Sequence, residues 1–336
     1  MKIYHIPIEP YDRRYTRDWI QQFEQEFKNA DVEYVTILGE QTTTVLREDT
    51  VLDSCGTNYY KMSQLMQLFK LIQNNTIKDG DVIFFADLWF PGIESLFYIR
   101  DNEKVKFKVV GVLHAGTWDN YDFTYRNGMR PWGKFIEAGW FVGFDQVYVA
   151  THFHKDLIIE KCIDKGIDLY NKIKVTGIPF YANELRTKYP VTSKEDIVVF
   201  PHRIAPEKNP QMFDKLAKMF PQYKFVKTID VTNSAKEYFE LLAKSKIMIS
   251  FAQQETFGYS TVEAMALGNL VIVPNMLSYR ETVPPFDRYE WTDEQDILYQ
   301  VSKQIIAYMR KQYPIYYDLD QWEQAVPNMI KELKKL

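Results

Sequence analysis

The chain has 336 residues, 46% hydrophobic and 26% charged, which suits about two packed domains and excludes a disordered, collagenous or mucin-like polymer. Its 41 basic and 45 acidic residues leave a net charge of −4, so any contact with a polyanion has to come from a local patch rather than a global field. Two cysteines, Cys55 and Cys162, make no disulfide framework, and no apolar run reaches the ~18 residues of a membrane span, so the expected setting is the cytoplasm, without membrane insertion.

From Met1 the pattern reads as a strand, Lys2–Ile8, and not as the apolar core and small-residue cleavage site of a signal peptide. A helix at Tyr15–Asn29, a strand at Glu33–Leu38 and a helix at Lys61–Asn74 follow. Strands are next expected at Asp81–Ala86, Phe107–Leu113, Gln146–Ala150 and Lys172–Thr176, with a helix at Phe153–Lys165. A second series places strands at Asp196–Phe200, Lys224–Ile229, Lys246–Phe251 and Leu270–Pro274. Its helices are Pro210–Phe220, Ser234–Lys244 and Ser260–Leu267. From Glu294 the pattern is helical, with Trp322, Val326 and Ile330 spaced by four. Segments such as Val82–Phe85 and Val271–Val273 are apolar throughout, as parallel strands covered on both faces are. Two series of alternating strands and helices indicate two doubly wound α/β domains, joined near residues 177–184. Such sheets bind ligands at the carboxyl ends of their strands, so informative residues are sought just after strands.

Residues 251–274 carry the richest such segment. A strand ends near Phe251, a polar loop holds Glu255 and Gly258, and a helix with Glu263 in its first turn runs to Gly268, a C′ residue. Backbone N–H groups at that helix start suit a diphosphate, and two carboxylates suit paired hydroxyls of a sugar ring and a ribose. Ser260 and Glu263 also match a capping box, a purely structural role. A second segment, 198–210, ends a strand at Phe200 and opens a helix with Asn209 as N-cap and Pro210 at N1. Arg203 and Lys208 lie on the loop between, two cations suited to a leaving diphosphate or simply to solvent. In the first domain, His114 follows the buried strand 107–113, where a neutral imidazole accepts a hydrogen bond and a charged one offsets phosphate.

The string Glu255-Thr-Phe257-Gly258 with Glu263-Ala-Met-Ala-Leu-Gly268 resembles the signature of the large retaining, group 1 glycosyltransferase family, and the Arg203–Lys208 spacing is similar to that family's pyrophosphate grip. The resemblance implies the GT-B fold: two Rossmann-like parallel-sheet domains facing a cleft. Residues 1–180 would take the acceptor and 181–314 the nucleotide-sugar donor, with a helix in 315–336 crossing back to pack on the first domain. It implies transfer from a nucleoside-diphosphate sugar, UDP-linked by expectation, with no metal or other cofactor. The catalytic set would be His114, Arg203, Lys208 and Glu255. Donor binding would use Arg203, Lys208, Glu255, Thr256, Phe257, Gly258, Tyr259 and Glu263, with Glu263 on the ribose. The chain departs from the pattern at His202 (usually Gly), at Asn269-Leu270 (usually with Pro), and at Tyr279-Arg280-Glu281, which lacks the family's glycines and leaves Glu281 a minor candidate. The glycine pair common after the first strand is also absent from residues 7–17.

Between Trp118 and Trp140, aromatic residues interleave with Arg126, Arg130 and Lys134, and Arg13, Arg14 and Arg17 follow the first strand. Rings with cations suit a base and its phosphates. This segment loosely resembles bacteriophage enzymes that glycosylate hydroxymethylated pyrimidines, which implies DNA as acceptor, a flipped base, the host cytoplasm, and acceptor contacts from Arg13, Arg14, Trp118, Asp119, Arg126 and Arg130. Saccharide, lipid or small-molecule acceptors, a sugar-nucleotide epimerase and a non-catalytic nucleic-acid-binding module are the alternatives. Asp318-Leu-Asp320 reads as a helix start, His152 and His154 lack a third metal ligand, and no Gly-x-Gly-x-x-Gly follows the first strand.

Overall fold

The structure, a computed structural model, describes the chain except Arg13, residues 43–52, 104 and 163–168, and the side chain of Cys162. The chain divides into two units, Met1–Pro179 with Gln324–Leu336, and Phe180–Glu323.

The first unit is built on β1 (Lys2–Ile6), β2 (Glu33–Thr36), β3 (Val82–Phe85), β4 (Lys108–Val112), β5 (Gln146–Val149) and β6 (Ile173–Val175). They pair in the order β2-β1-β3-β4-β5-β6, all parallel. Its helices are α1 (Trp19–Asn29), α2 (Ser54–Gln73), α3 (Glu94–Glu103), α4 (Phe123–Arg126), α5 (Arg130–Gly143) and α6 (His152–Cys162). Every residue of β3 and β5 is buried, because helices cover both faces of the sheet. Ile83, Phe85, Val109, Trp118, Phe141 and Ile158 share the core of this unit.

The second unit adds α7 (Ala182–Lys188), β7 (Glu195–Phe200), α8 (Pro210–Met219), β8 (Lys224–Lys227), α9 (Ala235–Lys244), β9 (Ser245–Ile249), α10 (Tyr259–Ala266), β10 (Leu270–Pro274), α11 (Tyr279–Thr282), β11 (Arg288–Tyr289), α12 (Glu294–Met309) and α13 (Asp320–Glu323). The last helix, α14 (Ala325–Leu333), belongs to the first unit and packs on α1, where Lys334 Nζ donates to Ala30 O at 3.1 Å. The second sheet, also parallel, runs β11-β10-β9-β7-β8.

Strand order places the loops that matter. In the second sheet the chain winds outward in one direction through β7 and β8 and in the other through β9, β10 and β11. The switch point lies between β7 and β9, the position beyond whose carboxyl ends open α/β sheets bind ligands. The loops after β7 and β9 carry Arg203–Lys208 and Glu255–Gly258. The corresponding switch in the first sheet lies between β1 and β3.

Several elements differ from the sequence reading. Helix α2 begins at Ser54, seven residues before the expected Lys61, because Asp53 caps it by accepting Gly56 N–H at 3.2 Å. Helix α1 begins at Trp19 instead of Tyr15. The short β11 and helices α3, α5 and α7 were not anticipated; α5 is disguised by Pro131, Gly133, Gly139 and Gly143. The expected continuation of the helix from Phe153 to Lys165 falls, past residue 162, outside the described residues.

Candidate functional site

In the second unit, the loops after β7 and β9 are stitched together. Gln253 N–H donates to Glu207 O at 2.8 Å, and Asn209 Nδ2 donates to Phe251 O at 3.0 Å. Asn209 does occupy the N-cap of α8, but its side chain makes no cap bond. It adopts a left-handed conformation, φ 49°, that Asn tolerates, and spends its amide on the neighbouring loop. Helical structure at Pro206–Lys208 turns Lys208 inward, so that a lysine expected on a solvated loop is buried.

Lys208 Nζ donates to Glu255 Oε1 at 2.7 Å and to Gln254 O at 2.5 Å. Two of its three N–H donors are thus used within the loop pair, and the third has no partner among the described residues. Arg203 is half-exposed; its Nη2 donates to Glu207 Oε1 at 2.7 Å, and Glu207 is buried, so the guanidinium is tethered at one corner with its other donors turned elsewhere. Glu255 is mostly buried and keeps Oε2 outside the Lys208 contact. The arrangement gives two anchored cations and one anchored carboxylate at the switch point of the sheet.

Helix α10 begins directly after this loop. Its N-cap is Gly258 at φ 85°, where a Cβ would be strained and would stand 3.1 Å from Tyr279 Cε1. The helix closes with Gly268 N–H on Met265 O and Asn269 N–H on Ala264 O, the paired bonds of a Schellman motif, as Gly268 suggested. The capping box does not form: Ser260 lies inside the helix with Oγ 3.4 Å from His202 Nδ1. Glu263 falls in the second turn, not the first, and accepts the Tyr238 hydroxyl at 2.8 Å. Burial, and then the neighbouring Glu263 carboxylate, hold the Tyr238 phenol well above its ordinary pKa. Phe257 is buried against Phe180, Tyr259 and Trp322, so only its backbone faces the loop chemistry. Thr256 and Tyr259 flank it, half-buried.

Three residues that sequence reasoning did not select complete the site. His202 Nε2 lies 2.8 Å from Ser250 Oγ, which lies 2.8 Å from the Tyr279 hydroxyl, and His202 Nδ1 is 3.7 Å from Glu255 Oε1. Burial, reinforced by Lys208 and Arg203, pushes His202 well below its usual pKa, so its ring is neutral and is held by Ser250 beside Glu255 without a hydrogen bond to it. His202 was visible in the sequence only as a departure from glycine, Tyr279 only within the Tyr279-Arg280-Glu281 segment that lacks the family's glycines, and Ser250 carried no local signal. Glu281 sits half-buried on α11, two residues after Tyr279. Among the described residues no group of three His, Cys, Asp or Glu comes together as metal ligands.

In the first unit, His114 lies after β4. Its Nε2 is 2.8 Å from Ala86 O and its Nδ1 2.7 Å from the Tyr15 hydroxyl. A carbonyl only accepts, so Nε2 carries hydrogen; burial lowers the ring's pKa, and the neutral ring then accepts the Tyr15 O–H at Nδ1. Arg14 stacks over Tyr11 at 4.8 Å, and its charge acts on His114. Trp118 is 1% exposed and packs, tilted, against buried His154, so its ring offers no face to a ligand. Asp119 is buried and accepts Tyr121 N–H. Arg130 Nη1 donates to Thr117 O at 2.8 Å, and Arg126 is exposed on α4. Arg13 lies outside the described residues. Asp318 accepts Asp320 N–H at the start of α13, a helix start as expected.

No family model matches the sequence, and no curated protein matches it. Solved structures do. Sucrose-phosphate synthase from Thermosynechococcus elongatus matches at 13% identity and TM-score 0.60, over 100% of this chain and 94% of its own. The catalytic domain of starch synthase IV from Arabidopsis thaliana, bound to ADP and acarbose, matches at 12% identity and TM-score 0.66, over 100% and 99%. HepE from Anabaena, in complex with UDP and glucose, matches at 13% identity and TM-score 0.57, over 100% and 95%. At these identities the likeness is one of fold. Two Rossmann-like units, each on an all-parallel sheet, make this chain a GT-B fold.

Proposed function

We propose that the protein is a retaining, metal-independent glycosyltransferase that takes its sugar from a nucleoside diphosphate, UDP by expectation. The observation that carries this reading is the Lys208–Glu255 pair, set beside Arg203 and directly ahead of the α10 N-terminus. Solved structures of the same fold that hold ADP or UDP support it. In the proposed reaction the bond from the anomeric carbon to the diphosphate oxygen breaks and the diphosphate leaves with the electron pair. The acceptor oxygen bonds to that carbon on the same face, and its proton passes to the departing diphosphate. Arg203 and Lys208 meet the charge that develops on the leaving group. Glu255, pinned through Oε1, holds sugar hydroxyls through Oε2, while Glu263 takes the ribose. In the first unit, His114 with Tyr15 and Arg14 would meet the acceptor side.

For the acceptor, buried Trp118 offers no ring to a flipped pyrimidine, while Tyr121, Tyr125 and Trp132 stay exposed. Hydroxymethylated DNA and a hydroxyl on a saccharide, a lipid carrier or a small molecule are the two arms to compare. The test is a thermal-shift screen of UDP-, ADP- and GDP-sugars, followed by mass spectrometry of saccharide acceptors and of digested hydroxymethylated DNA. A ligand at 100 times its Kd adds about 2.7 kcal/mol, or roughly 2–4 °C in Tm. Transfer with retained anomeric configuration, unaffected by EDTA, is expected. Donor conversion without an acceptor would favour an epimerase instead, and salt-sensitive DNA binding with no turnover a non-catalytic binding module.

A further inference from the structure

Helix α9 starts on a firm footing. Thr232 N–H and the Thr232 hydroxyl both donate to Thr228 O, at 3.0 and 2.8 Å, which turns the chain out of β8. Ser234 Oγ then caps the helix by accepting Glu237 N–H at 3.2 Å, and Glu237 Oε2 accepts Asn233 N–H at 2.6 Å in return. Lys236 pairs along the helix with Glu240. Tyr238, in the first turn, crosses instead to α10, where its hydroxyl meets Glu263 Oε2 at 2.8 Å. The two helices follow β8 and β9, which lie on opposite sides of β7, so the contact joins elements from both sides of the switch point.

The direction of this hydrogen bond is fixed. A carboxylate only accepts, and the phenol, held well above its ordinary pKa first by burial and then by Glu263, keeps its hydrogen at any working pH. The ring that carries it packs edge-to-face on Phe239 at 5.1 Å. Glu263 is half-buried, and its carboxylate turns on a terminal torsion that is broad and not staggered. A fixed O–H on Oε2 narrows that range to one orientation.

We propose that Tyr238 is a positioning residue for the donor's ribose: by holding Glu263 Oε2 it sets the carboxylate that accepts the ribose hydroxyls, and so restricts the site to ribonucleoside, not deoxyribonucleoside, diphosphates. The inference rests on the reading of the second unit as a nucleotide-sugar site and adds to it a residue that no motif of the sequence marks. A hydroxyl that meets an acceptor already in place does not have to order it, so more of the bond appears as affinity. A site built around a hydroxyl in turn rejects the analogue that lacks it, because the acceptor loses that partner without a replacement.

The test is calorimetric titration of the full chain with UDP, 2′-deoxy-UDP and 3′-deoxy-UDP, repeated with ADP and its two deoxy analogues. Wild type, Tyr238→Phe, Glu263→Gln and the double variant are compared. Wild type is expected to bind the ribonucleotide about ten- to a hundredfold more tightly than at least one deoxy analogue, the range of a hydrogen bond to a charged group. In Tyr238→Phe that ratio should fall by about threefold or more, through weaker binding of the ribonucleotide. The double variant should match Glu263→Gln, since Tyr238 acts through Glu263. A role confined to packing α9 on α10 would lower the melting temperature and leave the ratio as it is. The inference is overturned if folded Tyr238→Phe or Glu263→Gln keeps the wild-type ratio, or if the two substitutions weaken binding additively. Wild type that binds UDP or ADP no better than both deoxy forms overturns it while the diphosphate site stands. Wild type that binds neither nucleotide removes the transferase reading and this inference together.

Discussion

Lys208 and Glu255, 47 residues apart in sequence, meet at 2.7 Å where two loops leave the switch point of the second sheet. The contact joins a buried cation, also held by Gln254 O, to a mostly buried carboxylate. Glu255→Gln keeps the shape and removes the charge. It should cost up to about 3–5 kcal/mol of stability, since a largely buried cation loses its counter-charge. UDP alone should bind at least as tightly, because Lys208 no longer faces a competing anion, while turnover falls about a hundredfold. Denaturant melts, UDP titration and a transfer assay together check the three parts.

Gly258 is tested by alanine. A left-handed backbone costs a non-glycine residue roughly 1–2 kcal/mol, and the added Cβ would crowd Tyr279 at 3.1 Å. Because the strain falls at the first turn of α10, donor affinity should drop more than stability. A melting curve paired with donor titration distinguishes the two; equal affinity in a destabilised variant would remove α10 from the site.

The fold was legible where local pattern and global burial agree. Val82–Phe85 and Leu270–Pro274 are apolar on both faces, and that alone marks central parallel strands. Helix α5 was not, because Pro131 and three glycines mimic a loop and its two apolar sides blur the period. At the site, Gly258 and Gly268 announced their roles through backbone need. The partners of Asn209, Glu263 and His202 did not, because Phe251 O, Tyr238 and Ser250 lie 25–48 residues away and only tertiary structure brings them in. The burial of Trp118 was hidden for the same reason.

Acid should destabilise the first unit through His5. Its ring is wedged among Phe23, Phe27 and Phe84 at 5.1–5.8 Å, neither nitrogen is hydrogen-bonded, and burial drives its pKa down to about 3. Unfolded histidine titrates near ~6.5, so between pH 6.5 and 3 the unfolded chain holds a proton that the folded chain refuses, and stability falls as pH falls. His5→Phe removes that penalty. Urea melts at pH 7.5 and 4.5 should show the variant gaining roughly 2–3 kcal/mol on wild type at the lower pH.

Lys194 gives a signature of the same sign in the alkaline range. Its Nζ donates to Leu242 O, Leu267 O and Asn269 Oδ1 at the ends of α9 and α10, with no anion in the set, and burial pushes its pKa down to about 7. Between pH 7 and the unfolded value of ~10.4, the unfolded chain keeps a proton the folded chain has released, so stability rises with pH. Lys194→Met should flatten that rise by up to about 1.4 kcal/mol per pH unit, seen in melting temperatures from pH 7 to 10. An unchanged slope would mean the amine stays charged against its carbonyls.

The most direct test of the diphosphate site is calorimetric titration of UDP and of a UDP-sugar into wild type, Arg203→Ala and Lys208→Ala. Arg203 is part-exposed but Glu207 is buried, so Arg203→Ala should cost stability, up to about 3–5 kcal/mol, and the titrations are made well below its melting temperature. Saturable one-to-one binding by wild type, weakened a hundredfold or more in folded Arg203→Ala and in Lys208→Ala, is the predicted result. Undiminished affinity in both variants would contradict it, because the diphosphate would then be held elsewhere.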